Sequence, residues 1–159
     1  MSNLSVNRFP VYESYLQIKT DLNEIDTVLS WFDQIESQNL ATDFLVKVKI
    51  ALVEGFTNAV RHAHRHKPKS TPINIDALLF LDQLEIRIWD SGVHFDFAKL
   101  LNTVEQKYPN PEEHDAHWGG TIFRKLNLEY GWDIQYHCPT SLDCDRNCFK
   151  MLIPIKLCT

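Results

Sequence analysis

The sequence predicts an α/β fold with one mixed, mainly antiparallel sheet and helices on one face of that sheet. The order of the predicted elements indicates this arrangement, because it runs strand, two helices, two strands, a long loop, one helix and two strands. The length of 159 residues fits one domain. A hydrophobic content of 44% is typical of a folded, soluble chain rather than of a disordered one.

The first predicted elements are a short strand and a helix. Ser14–Lys19 is predicted as the strand, and Tyr15 and Ile18 are its expected buried residues. Asp21 is a candidate N-cap for a helix from about Leu22 to Ser37. Apolar residues recur there at steps of three and four, which is the period of a helix with one buried face.

A longer helix and a β-hairpin follow. The helix is predicted from Thr42 to about His64, ahead of a basic segment that contains two prolines. Gly55 lies inside this helix at a cost of about 1 kcal/mol relative to alanine, so we expect another element to pack closely there. Ile73–Phe80 and Leu84–Trp89 are predicted as the strands of the hairpin. The second of them alternates apolar and polar residues, as a half-buried strand does.

The last third of the chain begins with an irregular connection, Gly92–Gly120, whose length is usual for a functional loop. A helix is predicted at Thr121–Glu129, and strands are predicted at Trp132–Tyr136 and Phe149–Ile155. We expect residues 1–13 to be an N-terminal extension and residues 14–159 to form the domain.

Charge and apolar runs exclude several classes of protein. With 16 Lys and Arg against 21 Asp and Glu, the net charge of −5 disfavours direct nucleic-acid binding. No apolar run approaches the roughly 20 residues of a membrane helix, so no membrane association is expected. Met1–Pro10 lacks the apolar core of a signal peptide, which favours a cytoplasmic location. The four cysteines lack paired C-x-x-C spacing and are expected to be free thiols.

A candidate catalytic pair lies on the second predicted helix. Glu54 and Asn58 are four residues apart, so they lie on one face of that helix about one turn apart. A carboxylate beside an amide oxygen suits a site that needs a base and an oxygen ligand for Mg²⁺. Considered alone, this pair is better explained as part of a solvated polar helix face.

Two further motifs involve glycines. Asp90-Ser91-Gly92 ends a predicted strand, where the carboxylate can accept a hydrogen bond from a ligand and the glycine allows close approach. Gly119 and Gly120 precede a predicted helix, whose first N–H groups can face phosphate. Considered alone, the first motif is better explained as a plain turn, and the second is typical of an ordinary helix start.

Together and in this order, the motifs resemble the GHKL ATPase superfamily and, within it, the anti-sigma-factor serine kinases. The resemblance spans nearly the whole chain and is carried by four segments, Ala51–Ala63, Ile88–Asp96, Gly119–Leu126 and Asn147–Ile155. It implies a Bergerat-type two-layer α/β sandwich that binds ATP and Mg²⁺ between its helices and the long loop, with that loop as a lid.

The resemblance also implies a role for each motif residue. Glu54 would be the general base on the serine to be phosphorylated, and Asn58 would hold Mg²⁺ against the phosphates of ATP. Asp90 would accept a hydrogen bond from the adenine amino group. Three glycines would line the nucleotide, with Gly92 beside the base and with Gly119 and Gly120 beside the phosphates.

Two protein partners are implied by the same resemblance. They are a sigma factor and the anti-sigma-factor antagonist that the kinase would phosphorylate, and a homodimer is compatible with this reading. His94 and His117 stand where the family's motifs usually carry glycines. An alternative is therefore a nucleotide-poor module that regulates by protein–protein interaction only. A sensor histidine kinase is less favoured, because no helix pair with a phosphorylatable histidine is predicted.

Overall fold

The computed structural model describes residues 8–93, 118–138 and 146–156. Within them, three α-helices pack on one face of a five-stranded sheet. Short 3₁₀-helices flank the first α-helix, and a π-helix at Ala59–Ala63 continues the second. In chain order the elements are β1 (Tyr12–Lys19), α1 (Ile25–Asp33), α2 (Thr42–Asn58), β2 (Pro72–Leu79), β3 (Gln83–Asp90), α3 (Trp118–Tyr130), β4 (Asp133–His137) and β5 (Asn147–Pro154).

The strands are arranged in the order β1-β2-β3-β5-β4, and all four neighbouring pairs are antiparallel. The expected α/β fold, with a mainly antiparallel sheet and helices on one face, is thereby confirmed. β5 pairs with β3, so β4 lies at the edge of the sheet. This order brings the last residue of β3 beside the first residue of β5.

The core lies between the helices and the sheet face that they cover. Leu84, Ile86 and Ile88 of β3 are at most 1% exposed, which confirms the alternation predicted for this strand. The prediction for β1 is half wrong, because Ile18 is buried whereas Tyr15 is 61% exposed. Successive side chains of a strand point to opposite faces, so residues three apart cannot both face the helices.

α2 lies close against the sheet at Gly55. A Cβ atom at this position would lie 2.7 Å from Cδ1 of Ile88 and 3.1 Å from Cε1 of Phe149. The close packing expected from a glycine inside this helix is confirmed. α3 packs on the same part of the sheet, since the rings of Phe123 and Phe149 have centroids 5.1 Å apart.

Three boundaries differ from the prediction in ways that matter for the site. The second predicted helix is α-helical only to Asn58, beyond which it continues as the π-helix. α3 begins at Trp118, so the two glycines predicted to precede it lie in its first turn. β5 begins at Asn147, two residues before the predicted strand. Residues 94–117, the larger part of the long connection, lie outside the described residues.

Candidate functional site

The carboxylate of Asp90, the last residue of β3, is only 2% exposed and faces the helices. Its Oδ1 atom accepts hydrogen bonds from the backbone N–H of Gly92 at 2.9 Å and from Nδ2 of Asn147 at 2.8 Å. Its Oδ2 atom accepts one from the hydroxyl of Tyr136 at 3.0 Å. An ionised carboxylate has about four acceptor positions. Among the described residues, a second position on Oδ2 therefore stays open to a further donor.

Strand register brings these groups together. Asp90 lies directly opposite Asn147 on β5, and Tyr136 of β4 lies opposite Phe149. Asn147 is 3% exposed and also donates through Nδ2 to the carbonyl oxygen of Gly92 at 3.0 Å. Sequence reasoning gave neither Asn147 nor Tyr136 a role in the site, although Asn147 begins one of the segments that carry the resemblance, because only the strand pairing brings them to Asp90.

Tyr136 acts as a stable donor to this carboxylate. Burial raises the pKa of its phenol, and the charge of Asp90 and their hydrogen bond raise it further. The phenol therefore keeps its proton throughout the neutral range. Because Tyr136 and Asn147 bind different oxygens, they hold the carboxylate of Asp90 in one orientation.

Gly92 lies against the end of the π-helix. A Cβ atom at this position would overlap the carbonyl group of Ala63 and lie 2.8 Å from the Ala63 Cα atom. Only glycine allows two backbones to approach so closely. The predicted reason for this glycine was room for a nucleotide base; the structure adds a second reason, which is the contact with the helix end.

The predicted catalytic pair lies on the helix that meets this turn. Glu54 and Asn58 are half-buried on the last turns of α2. Burial raises the pKa of Glu54, and the positive charge of Arg61 opposes that rise. α2 rests on β3 through Gly55 and reaches Gly92 through its π-helical continuation. The first and second motifs therefore lie on elements in direct contact.

The third motif lies on a helix beside the same end of the sheet. Gly119 and Gly120 are in the first turn of α3, and Phe123 of that helix packs on Phe149, two residues after Asn147. His94 and His117, which stand where the family's motifs usually carry glycines, lie outside the described residues. Within the part of the chain that the structure describes, no group of three or more His, Cys, Asp or Glu side chains is placed to hold a metal ion.

Residues 18–128 match the family model described as the histidine kinase-like ATPase domain. The matched segment is more than half of the chain and contains all three motifs. The chain belongs to this family. The membership that the motifs predicted for this ATPase domain is therefore confirmed.

Two curated relatives of this ATPase domain are serine-protein kinases named RsbW. The protein of Oceanobacillus iheyensis is 34% identical over 93 residues, a match that covers 53% of this chain and 58% of the relative. The protein of Bacillus cereus strain G9842 is 42% identical over 64 residues, which are 40% of this chain and 39% of the relative. In both comparisons the chain spans less than two thirds of the relative's length.

A solved structure supports the fold of this ATPase domain. A chain of the SiaB–SiaC complex from Pseudomonas aeruginosa superimposes with a TM-score of 0.54 and 9% sequence identity, and 89% of each chain is covered. At this identity the likeness concerns the fold alone. Across the described ranges, none of the helices has both the length and the apolar character needed to span a membrane.

Proposed function

We propose that this chain is an ATP-binding anti-sigma regulatory factor that phosphorylates a serine of an anti-sigma-factor antagonist and sequesters a sigma factor. The observation that carries the proposal is the carboxylate of Asp90, which is buried, is oriented by three donors and has no donor among the described residues at a second acceptor position on Oδ2. The serine-protein kinases among the relatives support the class of reaction.

The open position on Asp90 supports selection of adenine. An ionised carboxylate only accepts hydrogen bonds, so it favours a base that offers an amino group. Adenine offers such a group at C6, where guanine placed in the same orientation carries an oxygen acceptor. Guanine has donors of its own at N1 and at the C2 amino group, so the comparison of Mg-ATP with Mg-GTP below tests the choice of base.

The residues of α2 and α3 fit the phosphate end of the same nucleotide. Asn58 would hold Mg²⁺ through its amide oxygen, and oxygen is the ligand that this ion prefers. When bound, the ion neutralises phosphate charge. Gly119 and Gly120 would border the phosphates from the first turn of α3, where N–H groups and the helix dipole favour an anion.

Glu54 would receive the proton that the substrate serine loses. As the serine oxygen bonds to the γ-phosphorus and the bond to the bridging oxygen breaks, the hydroxyl proton moves to the Glu54 carboxylate. Its raised pKa, caused by burial, suits a group that must take up a proton near neutral pH. A sigma factor, an antagonist, a homodimer and a cytoplasmic location belong to the same proposal.

Calorimetry tests this function. We expect wild-type protein to bind Mg-ATP, to bind ATP poorly when EDTA removes the metal, and not to bind Mg-GTP. Asp90→Asn should weaken Mg-ATP binding at least about tenfold, because an amide replaces one acceptor by a donor. The matched control is Asp133→Asn, an exposed carboxylate at the start of β4, which should bind like wild type.

Two results would reject the proposal. Absence of ATP binding would leave the alternative, a module that regulates through protein contacts alone. Equal ATP affinities of Asp90→Asn and Asp133→Asn would show that the Asp90 carboxylate does not contact the base.

A further inference from the structure

We infer that His64 is a positioning residue of the nucleotide site, which holds the Ser91–Gly92 backbone so that Asp90 keeps its open acceptor position toward the base. The inference rests on the proposed function. It concerns a residue that belongs to none of the three motifs and that lies at the end of a predicted helix.

His64 follows the π-helix directly and is 2% exposed. Its backbone N–H donates to the carbonyl oxygen of Ala59, five residues earlier, at 2.8 Å, which is the hydrogen bond of a π-helix. Such turns in an otherwise α-helical segment are frequent at functional sites. The imidazole is therefore placed by a local irregularity of the same helix that carries Glu54 and Asn58.

Both ring nitrogens of His64 have a partner. Nδ1 lies 2.7 Å from Oγ1 of Thr20, and Nε2 accepts the backbone N–H of Ser91 at 2.8 Å. The hydroxyl of Thr20 donates its single proton to the carbonyl oxygen of Thr71, at 2.7 Å. Thr20 must then accept from Nδ1, while the N–H of Ser91 can only donate. The hydrogen bonds thus assign one form of the ring, neutral with its proton on Nδ1.

The hydrogen bond to Ser91 acts on the middle of the Asp90-Ser91-Gly92 turn. The next residue, Gly92, makes two contacts of its own. Its N–H donates to the carboxylate of Asp90, and its Cα packs against the backbone of Ala63. Thr20 and Thr71, which lie after β1 and before β2, anchor the opposite side of the ring. His64 therefore joins the end of the π-helix to the turn at a fixed spacing.

Charge around the ring is consistent with this role. Burial lowers the pKa of His64, the carboxylate of Asp90 opposes that change, and the ammonium group of Lys67 adds to it. Thr20 and Thr71, the other side chain and backbone partners, carry no charge. A second proton on Nε2 would direct an N–H at the N–H of Ser91, so the neutral ring is the form that holds the turn.

Two substitutions separate the hydrogen bonds of His64. In His64→Gln, the side-chain oxygen reaches the place of Nε2 and can still accept from Ser91, while the bond to Thr20 is lost. In His64→Asn, the amide reaches only the place of Nδ1, so the bond to Thr20 is kept and the bond to Ser91 is lost. Each variant loses one hydrogen bond and some ring volume, so both should lower the unfolding temperature.

Binding of Mg-ADP, which avoids turnover, is the first measurement. We expect His64→Asn to bind Mg-ADP at least about tenfold more weakly than wild type, and His64→Gln to stay within about threefold. Thr20→Val, which removes the other partner of the ring, should behave like His64→Gln. Equal affinities of the Asn and Gln variants would overturn the inference, because a merely structural histidine would affect both alike.

Hydrogen exchange of the Ser91 amide, measured by NMR on nucleotide-free protein, is the second measurement. We expect protection in wild type and in His64→Gln, and at least about tenfold faster exchange in His64→Asn. Equal exchange in the two variants would overturn the inference. If wild-type protein binds no nucleotide, the proposed function fails, and this exchange contrast alone then decides whether His64 fixes the turn.

Discussion

Replacing Gly92 by alanine tests the contact that joins the end of the π-helix to the Asp90 turn. The new methyl group would overlap the carbonyl of Ala63, which is backbone and cannot rotate away as a side chain could. The turn must therefore move from the helix. A movement large enough to admit a methyl group breaks the hydrogen bond from the Gly92 N–H to Asp90 and the one from Asn147 to the Gly92 carbonyl oxygen.

The magnitude follows from these two hydrogen bonds. The bond to the carboxylate of Asp90 is worth about 1.5–3 kcal/mol, and the bond between Asn147 and the carbonyl of Gly92 about 1 kcal/mol. The free energy of unfolding should therefore fall by about 2.5–4 kcal/mol. For a domain of this size that corresponds to a drop of roughly 5–16 °C in the unfolding temperature, at about 2–4 °C per kcal/mol.

The assay is urea unfolding of Gly92→Ala, with Val93→Ala as the matched control, followed by calorimetry with Mg-ADP. Val93 is the next residue and is 84% exposed, so its truncation should change the free energy of unfolding by less than about 0.5 kcal/mol. We also expect Gly92→Ala to weaken Mg-ADP binding, because Asp90 loses one of the donors that orient it. A Gly92→Ala protein as stable as the control, with wild-type affinity, would refute the close contact with Ala63.

Three further outcomes are expected. Glu54→Gln should keep Mg-ATP binding and slow phosphate transfer to the antagonist by roughly 10²–10⁴-fold, whereas Asn58→Ala should impair metal-dependent binding itself; transfer at the wild-type rate by Glu54→Gln would exclude it as the base. Burial lowers the pKa of His64, so its contribution to stability is complete above the unfolded value of about 6.5 and is lost as the pH falls below that value toward the folded pKa. Urea unfolding at several pH values should show this loss in wild type and a smaller one in His64→Gln, and identical pH profiles would contradict it. His94→Gly and His117→Gly should tighten ATP binding, most in the double variant, because the resemblance expects glycine at both positions and glycine removes side-chain bulk there; unchanged affinity in all three would show that neither histidine faces the nucleotide.

Much of the fold was predictable because its signals are local. The alternation of Leu84, Ile86 and Ile88 depends only on the two-residue period of a strand, and all three are buried as expected. Gly55 predicted a close neighbour, because a glycine weakens a helix and is expected inside one where another element packs closely. The error at Tyr15 is equally local, since Tyr15 and Ile18 are three residues apart and a strand directs such residues to opposite faces.

Part of the candidate site was predictable for the same reason. Glu54 and Asn58 share a helix face through their spacing, and the Asp90–Gly92 turn follows from its own residues. The extent of the π-helix and the start of β5 were not predictable, because both depend on what the chain packs against. Both matter for the site. The π-helix places His64 in the interior, and the early start of β5 adds Asn147 to the sheet.

The sequence by itself determined the class of fold, the membership of an ATPase family and the three motifs, because each is written in residues that are close together in the chain. Tertiary structure alone decided which distant residues hold the carboxylate of Asp90 and its turn. Its partner Asn147 is 57 residues away, and the ring of His64 reaches Thr20 over 44 residues and Ser91 over 27. Contacts over such separations depend on the order and register of the strands and on the position of a helix end. No local pattern of residues encodes these.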